Sequence, residues 1–295
     1  LDDDGRTIEP EYYMPVLPLV LVNGTEGIGT GFSCYVPPFN PEDLKQNILN
    51  FTRGKDMKKM KPWFRGFKGT ISEQDDDSWV AQGVWVCIGK TIKVTELPPG
   101  RWTQDYKEHL DTLVEKKIIS GFTNNSTTEN VDFNIQDYNG KDVVKDLKLE
   151  KTIRCSNMHL FHPTKGICKY NSPGHILVDF IKLRMEYYKK RKAYLIDTTK
   201  KKAELCSHRA RFVKMVIEGD IVVFRRKKQD LENQLSTLFP KIDDSYDYLL
   251  HIKTIEYTDE RVKALFDEWN KLREEVYLIE ATGYFEMWET DIKKL

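Results

Sequence analysis

Six apolar residues near the C-terminus, Val262, Leu265, Trp269, Leu272, Val276 and Ile279, are spaced 3, 4, 3, 4 and 3 apart. A 3.5-residue period is the seam of a coiled coil, because it keeps one apolar stripe facing a partner helix. Such a stripe must be buried against something. A second helical pattern begins at Pro173, with Ile176, Phe180, Leu183, Tyr187 and Tyr194 as its apolar positions and Lys190 filling one step. The simplest arrangement pairs this helix antiparallel with one running from Thr258 to Ile292, and makes residues 219–256 a cap at the far end. The cap reads as a short strand at Ile221–Phe224, a helix near Asp230–Phe239 and a helical turn at Tyr246–Ile252.

The first 172 residues follow a different pattern. Val84, Val86 and Ile88 alternate, Gly89-Lys90 turns, and Ile92 and Val94 alternate again, within a β region from Lys68 to Leu97. Asn40 followed by Pro41, with Leu44, Ile48 and Phe51 on one face, predicts a short capped helix. Thr103 is read as the cap of another, through about Ile118, and two or three strands fill 120–172, around Val131–Ile135 and Ile153–Phe161. Val16–Val22 reads as a strand-like core in a Gly- and Pro-rich opening. The fold class is α+β, a mixed α/β domain followed by a long antiparallel coiled coil, and 295 residues suit two or three domains.

Val16–Val22 is the longest apolar run, and at that length, broken by Pro18, it excludes a membrane span. No signal peptide is visible, and a chain opening at Leu1 without Met reads as a fragment of something longer. Five scattered cysteines without a C-x-x-C predict reduced intracellular thiols rather than a disulfide framework.

Total charge is zero, but it segregates. Lys182 to Lys228 holds 16 Lys/Arg against 5 Asp/Glu. A smaller basic run at 53–68 contains Arg53, Lys55, Lys58, Lys59, Lys61, Arg65 and Lys68, interleaved with Trp63, Phe64 and Phe67. Two such runs in a neutral chain suit a polyanion partner, and a solvated helix face explains either run alone.

Most candidate chemistry fails on spacing. Gly83 to Thr91 imitates a phosphate-binding loop but has five residues between its glycines, one too many, and alternates like a strand. Glu218-Gly219-Asp220 is explained by Gly219 closing a helix. The acidic runs Asp2–Asp4 and Asp75–Asp77 read as solvated loops. Cys155, His159, His162 and Cys168 match no zinc spacing, and alternation sends His162 to the opposite face. No metal site and no catalytic residue is assigned.

The segment Gly24–Gly31 is the most unusual, with four glycines around one apolar side chain, Ile28. A lone isoleucine among glycines is either a core plug under a turn, the reading physics favours, or a wedge of the kind that enters the minor groove and kinks DNA.

At this segment the sequence resembles eukaryotic-type DNA topoisomerase II (type IIA). The matching stretches are Glu9-Pro10-Glu11-Tyr12-Tyr13-Met14-Pro15, Val22 to Ser33, Phe67-Lys68-Gly69-Thr70-Ile71, Glu96-Leu97-Pro98, Arg101 to Glu108, Ser156-Asn157-Met158, the pairs Leu183-Arg184, Tyr187-Tyr188 and Arg191-Lys192, and Tyr246 to Leu250. They cover nearly the whole chain in order.

The resemblance implies that residues 1–35 end a DNA-cleavage region, 36–172 form a tower, 173–218 and 257–295 form the coiled-coil arm, and 219–256 form the dimerisation gate. It implies that Ile28 intercalates and bends double-stranded DNA, which moves the reading from plug to wedge. Gly27, Gly29, Thr30, Lys61, Arg65, Lys68, Lys189, Lys190 and Arg191 become the expected DNA contacts, and Tyr246, Tyr248, Leu249 and Leu250 the homodimer gate. The parent would use Mg2+ and ATP in a DNA-containing compartment, a nucleus or a cytoplasmic viral factory. This chain has no Arg-Tyr dipeptide for the family's nucleophile and should be inactive alone. A short tower and no long charged tail resemble a compact viral member. The rival reading is a non-catalytic dimeric DNA-binding scaffold, which the basic runs and heptads fit equally well but the ordered motifs do not. A protein-interaction module would bind without salt dependence.

Overall fold

The computed structural model describes residues 2–10 and 12–295; Leu1, and Glu11 of the first family motif, lie outside the described residues. The chain forms two compact units, Leu1–Arg184 and Met185–Leu295.

The first unit opens with β1 (Asp2–Asp3) and β2 (Arg6–Thr7), paired antiparallel. The strand expected at Val16–Val22 is instead a short helix, α1 (Leu19–Asn23). Pro18 starts it, its carbonyl accepting from the amides of Leu21 and Val22, and Leu21 is fully buried. Burial of that one side chain overrides the β preference of Val20 and Val22. The glycine segment is not an irregular loop but a hairpin, β3 (Thr25–Gly29) and β4 (Phe32–Val36), turned by Thr30-Gly31. Helix α2 (Pro41–Thr52) begins as expected, the Asn40 side chain accepting from the Glu42 amide at 2.9 Å; Leu44 and Ile48 are buried, whereas Phe51 is exposed.

Next come β5 (Thr70–Asp75), β6 (Ser78–Gln82), β7 (Val84–Ile88) and β8 (Thr91–Glu96). The alternation at 84–94 is a hairpin as read, with Gly89-Lys90 in the turn. Helix α3 (Thr103–Glu115) is capped by the extended backbone of Trp102, so Thr103 is its first residue rather than its cap. Strands β9 (Gly121–Asn124) and β10 (Phe133–Gln136) complete an antiparallel sheet of order β7-β8-β10-β9. Ile92 and Val94 of β8 and Phe133 and Ile135 of β10 pack with Tyr106 and Leu110 of α3 in the main core. After α4 (Val143–Asp146), β11 (Glu150–Arg154) joins β6 and β5 in a second sheet. The Ile153–Phe161 region is divided between two strands at Ser156-Asn157, where the chain leaves β11 to start β12 (Met158–His162), which pairs with β13 (Gly166–Tyr170), so that 120–172 holds five strands where two or three were expected.

Helix α5 (Pro173–Glu218) begins at the expected proline. Up to Arg184 it belongs to the first unit, where the Arg184 guanidinium donates to the Met14 carbonyl at 2.9 Å. In the second unit α5 buries Tyr188 rather than the expected Tyr187, and Tyr194 is exposed. The buried positions continue through Thr199, Ala203, Cys206, Ala210 and Val213. Gly219 closes the helix. Ile221–Phe224 is irregular rather than a strand, although Ile221 is buried. Helix α6 (Lys228–Ser236) and the single turn α7 (Asp247–Leu250) follow near their expected places.

Helix α8 (Asp259–Ala281) is capped by the Thr258 hydroxyl, and the heptad positions are buried or half-buried. Its pairing with α5 is antiparallel. Leu265 packs on Cys206 and Ala210, and Lys200 pairs with Glu280 at 2.8 Å. The helix does not run unbroken to Ile292. It stops at Thr282-Gly283 and restarts as α9 (Tyr284–Lys293), where the Glu286 carboxylate accepts from the Gly283 amide. Glycine is a poor helix residue, and the carbonyls freed at the break need donors. Lys192 of α5 supplies them, donating to the carbonyls of Glu280 and Thr282 at 2.8 Å each.

Asp291 fixes α9 on α5, accepting from the Tyr188 hydroxyl at 2.8 Å and from Arg191. Burial pushes its carboxyl up, but these two donors outweigh that and hold it below the usual carboxylate range. A carboxyl with a lowered folded-state pKa contributes stability above its unfolded value, near 3.9, and loses it as pH falls through the lower folded value. Asp291→Asn should cost about 2 kcal/mol at neutral pH, the scale of hydrogen bonds to a charged group. The gap between variant and parent should narrow below about pH 4. Urea unfolding followed by Trp fluorescence at pH 7 and pH 3 checks both.

Candidate nucleic-acid interface

The β3–β4 hairpin stands away from its unit. Every residue of β3 is exposed, and Ile28 is 85% exposed. An isoleucine that open is not a core plug. Gly31 in the turn takes φ 76°, in the left-handed region, which lets Thr30-Gly31 reverse the chain in two residues. Gly27, Gly29 and Thr30 are exposed beside Ile28. The root is closely packed. A Cβ on Gly24 would come within 2.9 Å of Pro38 and of the Val36 carbonyl, and Gly24 has φ 70°.

On its other edge β4 meets β12, the Tyr35 amide donating to the Asn157 carbonyl at 2.8 Å. Just past the hairpin, Phe39 bridges Pro62 and the Trp63 amide donates to Pro38 at 2.8 Å. These contacts bring the middle of the basic run, at Pro62 to Phe64, to the hairpin root, which sequence spacing alone did not require. Lys61, Arg65 and Lys68 are exposed. Lys59 is drawn away by Glu73 and Asp76, and its ammonium lies over Trp79. Lys68 sits beside Glu96, whose carboxyl is raised by burial and pulled back by Lys68.

A groove of about 570 Å³ runs along the hairpin root, lined by Glu26, Tyr35, Phe64, Lys151 and Arg154 among others. Burial and the Glu26 carboxylate raise the Tyr35 hydroxyl. Sequence reasoning does not find Lys151 and Arg154, because they are isolated cations on a short strand and only the fold puts them next to the hairpin.

In the second unit, Lys189 and Lys190 are exposed, with Lys190 over the Tyr187 ring, while Arg191 is engaged by Asp291. In the cap, Tyr246 and Leu249 are buried in the unit's own core with Phe212, Ile221, Leu235 and Phe239, and Tyr248 and Leu250 are half-buried. They hold the cap together before they could meet a partner. Its exposed apolar residues are Val222, Phe224 and Ile255. No periodicity singles these out, since they lie in irregular segments and a 3-10 turn.

Among the described residues no cluster of three His, Cys, Asp or Glu side chains could hold a metal ion. Cys155 is buried, and burial pushes its thiol up to about 11, so it is an unreactive side chain at neutral pH. Thr91 begins a strand, so no helix N-terminus follows Gly89 to cradle phosphate. No described helix is long and apolar enough to cross a membrane.

Comparison with known proteins agrees with this geometry. The family model for the A subunit of DNA gyrase/topoisomerase IV matches residues 1–293. DNA topoisomerase 2 of Arabidopsis thaliana is 33% identical over 349 positions that take in 100% of this chain and 24% of the plant protein. DNA topoisomerase 2 of Acanthamoeba polyphaga mimivirus is 32% identical over 370 positions, 98% of this chain and 29% of the viral protein. The crystal structure of the Plasmodium falciparum topoisomerase II DNA-binding, cleavage and re-ligation domain superposes with a TM-score of 0.88 at 31% identity, covering 100% of this chain and 45% of that one. The chain belongs to the DNA gyrase/topoisomerase IV family defined by that model. Within the family it is part of the DNA-binding and cleavage region of a eukaryotic-type topoisomerase II. It spans less than a third of the length of either full-length relative. Both alignments run well beyond 295 positions, so the relatives carry segments this chain lacks. The viral alignment is the longer of the two, so compactness by itself does not mark a viral source.

Gly24→Ala should destabilise the hairpin root by about 1–3 kcal/mol, from the left-handed φ and the contact with Pro38 together. Thermal unfolding checks the stability, and hydrogen exchange over residues 25–36 locates the loss.

Proposed function

We propose that this chain is the tower, coiled-coil and exit-gate portion of an ATP-dependent type II DNA topoisomerase, which passes one duplex through a transient break in another. Residues 1–35 end the cleavage region, 36–172 are the tower, 173–218 and 257–295 the arm, and 219–256 the gate. The observation that carries the reading is the exposed Ile28 at the end of a thin glycine-flanked hairpin. Burying an exposed isoleucine returns about 1.5–3 kcal/mol, which offsets much of the few kcal/mol needed to unstack one base step. Gly27, Gly29 and Thr30 let the backbone approach the groove, and Lys61, Arg65 and Lys68 neutralise phosphates of the bent duplex. Lys189, Lys190 and Arg191 line the path of DNA at the arm. Arg191 contributes least there, since Asp291 already neutralises it. Two chains meet at the cap as a homodimer, around Tyr248 and Leu250 and the exposed Val222, Phe224 and Ile255.

Mg2+ and ATP belong to the parent; among the described residues no cluster of three His, Cys, Asp or Glu side chains could hold the metal. No residue of this chain is given the strand-breaking step. This chain's residues bind, bend and hold duplex DNA, and the parent works in a nucleus or a cytoplasmic viral factory.

The test is duplex binding by fluorescence anisotropy at several salt concentrations, with end-labelled DNA reporting the bend by energy transfer. Ile28→Ala should leave the salt dependence intact and abolish the bend. Replacing Lys61, Arg65 and Lys68 by Gln should flatten the log–log salt slope by about 0.9 for each phosphate that is no longer neutralised. Salt-insensitive binding, or a bend unchanged in Ile28→Ala, refutes the reading. Phe224→Asp with Ile255→Asp should shift the dimer to monomer in sedimentation without unfolding the cap, because both side chains are exposed.

A further inference from the structure

A wedge must be held at a fixed angle, because a hairpin that swings gives up part of its interaction energy as ordering entropy on binding. The β3–β4 hairpin has little support of its own, since β3 is exposed along its whole length. Its support comes from a segment more than a hundred residues later in sequence. The Asn157 side-chain amide donates to the Ser33 hydroxyl at 2.9 Å, and Ser33 is the cross-strand partner of Ile28. The His159 ring packs edge-on against Phe32 with centroids 5.0 Å apart, and Phe32 is the cross-strand partner of Gly29. Between these two contacts the Cys34 thiol donates to the His159 carbonyl at 3.0 Å, and the His159 amide donates back to the same sulfur at 3.4 Å. The Tyr35 amide, bonded to the Asn157 carbonyl, completes the line.

The grip is mounted on a rigid base. Met158, between the two gripping residues, is fully buried, and it pairs with the buried Tyr170 of β13. The imidazole Nδ1 of His159 is buried without a hydrogen-bond partner. An unpaired buried nitrogen costs free energy, so the ring acts here through its shape, as an aromatic wall for Phe32.

We propose that Asn157 and His159 are positioning residues that set the angle of the hairpin, and so of Ile28, by gripping the two residues of β4 that lie directly across from Ile28 and Gly29. This rests on the reading of Ile28 as the DNA wedge. It gives a physical reason why Phe32-Ser33 and Ser156-Asn157-Met158, so distant in sequence, occur together in the motif set.

The test uses the full chain with Asn157→Ala, His159→Ala and His159→Phe, each measured for hydrogen exchange over residues 25–36, thermal midpoint, salt slope of duplex binding, and bend. Asn157→Ala and His159→Ala should speed exchange in the hairpin and lower the bent fraction about fivefold, the equivalent of one net hydrogen bond for Asn157 and of one aromatic contact for His159. The salt slope and thermal midpoint should stay unchanged, since neither residue is in the main core or on a phosphate. His159→Phe, which keeps the aromatic wall and removes the unpaired nitrogen, should restore the bend. Ser33→Ala combined with Asn157→Ala should do no more than Asn157→Ala alone, because both remove the same bond. If the parent chain bends DNA and the two alanine variants bend it equally well, the positioning role is wrong while the wedge stands. If the parent chain does not bend DNA, the wedge reading fails and the positioning role falls with it.

Discussion

The second unit depends on one seam of apolar contact between α5 and α8. Neither helix is apolar enough to be stable alone, and each is polar on its outer face. Once Leu265 has met Cys206 and Ala210, everything else in the unit falls into register. Lys200 reaches Glu280, Lys192 reaches the carbonyls freed at the helix break, and Tyr188 and Arg191 reach Asp291. Polar contacts of this kind add little energy where they are exposed. Their effect is selective, since sliding one helix by a turn would leave a half-buried carboxylate and two carbonyls without donors.

The first unit solves a different problem. A protein that presents an isoleucine to water and keeps it there must prevent its collapse onto the nearest apolar surface. The hairpin does so by geometry. The closely packed root at Gly24, the two-residue turn at Thr30-Gly31 and the line of contacts to β12 hold β3 away from the core. The same geometry gathers cations. The bridge from Phe39 to Pro62 draws in one basic run, and β11 contributes Lys151 and Arg154 from another part of the chain.

Periodic features are legible in the sequence. The heptad seam, the hairpin at 84–94 and the Asn40 cap each follow from local rules that the fold has no reason to override. Features decided by one distant contact are not. Val16–Val22 has the composition of a strand, and the burial of Leu21 makes it a helix. The break at Thr282-Gly283 is marked only by the lapse of the heptad, whose next positions fall on Gly283, Glu286, Thr290 and Lys293, while the residues buried beyond it, Trp288 and Ile292, lie off that spacing. Tyr187 and Tyr188 are adjacent tyrosines, and only packing against Trp288 and the bond to Asp291 decides between them. The glycine hairpin reads as a loop because its strands lack the β-branched runs that mark strands. In the cap, the residues that the motif singles out are partly core, and the exposed apolar ones carry no pattern at all. Exposure is a property of the fold, so the sequence leaves a lone Ile28 as plug or wedge, and only the fold shows that it is exposed.

Strand β7 is the edge of its sheet, with Val84, Val86 and Ile88 exposed along it. An edge with unpaired amides and apolar side chains is a template for a further strand. No proline, lysine or bulge within its exposed run guards it, the only register shift lying at its first residue. Handled at high concentration, the isolated chain is therefore exposed to sheet-to-sheet association through β7. A single lysine in place of Val86, whose side chain is half in water already, is the natural gatekeeper for keeping the protein in solution.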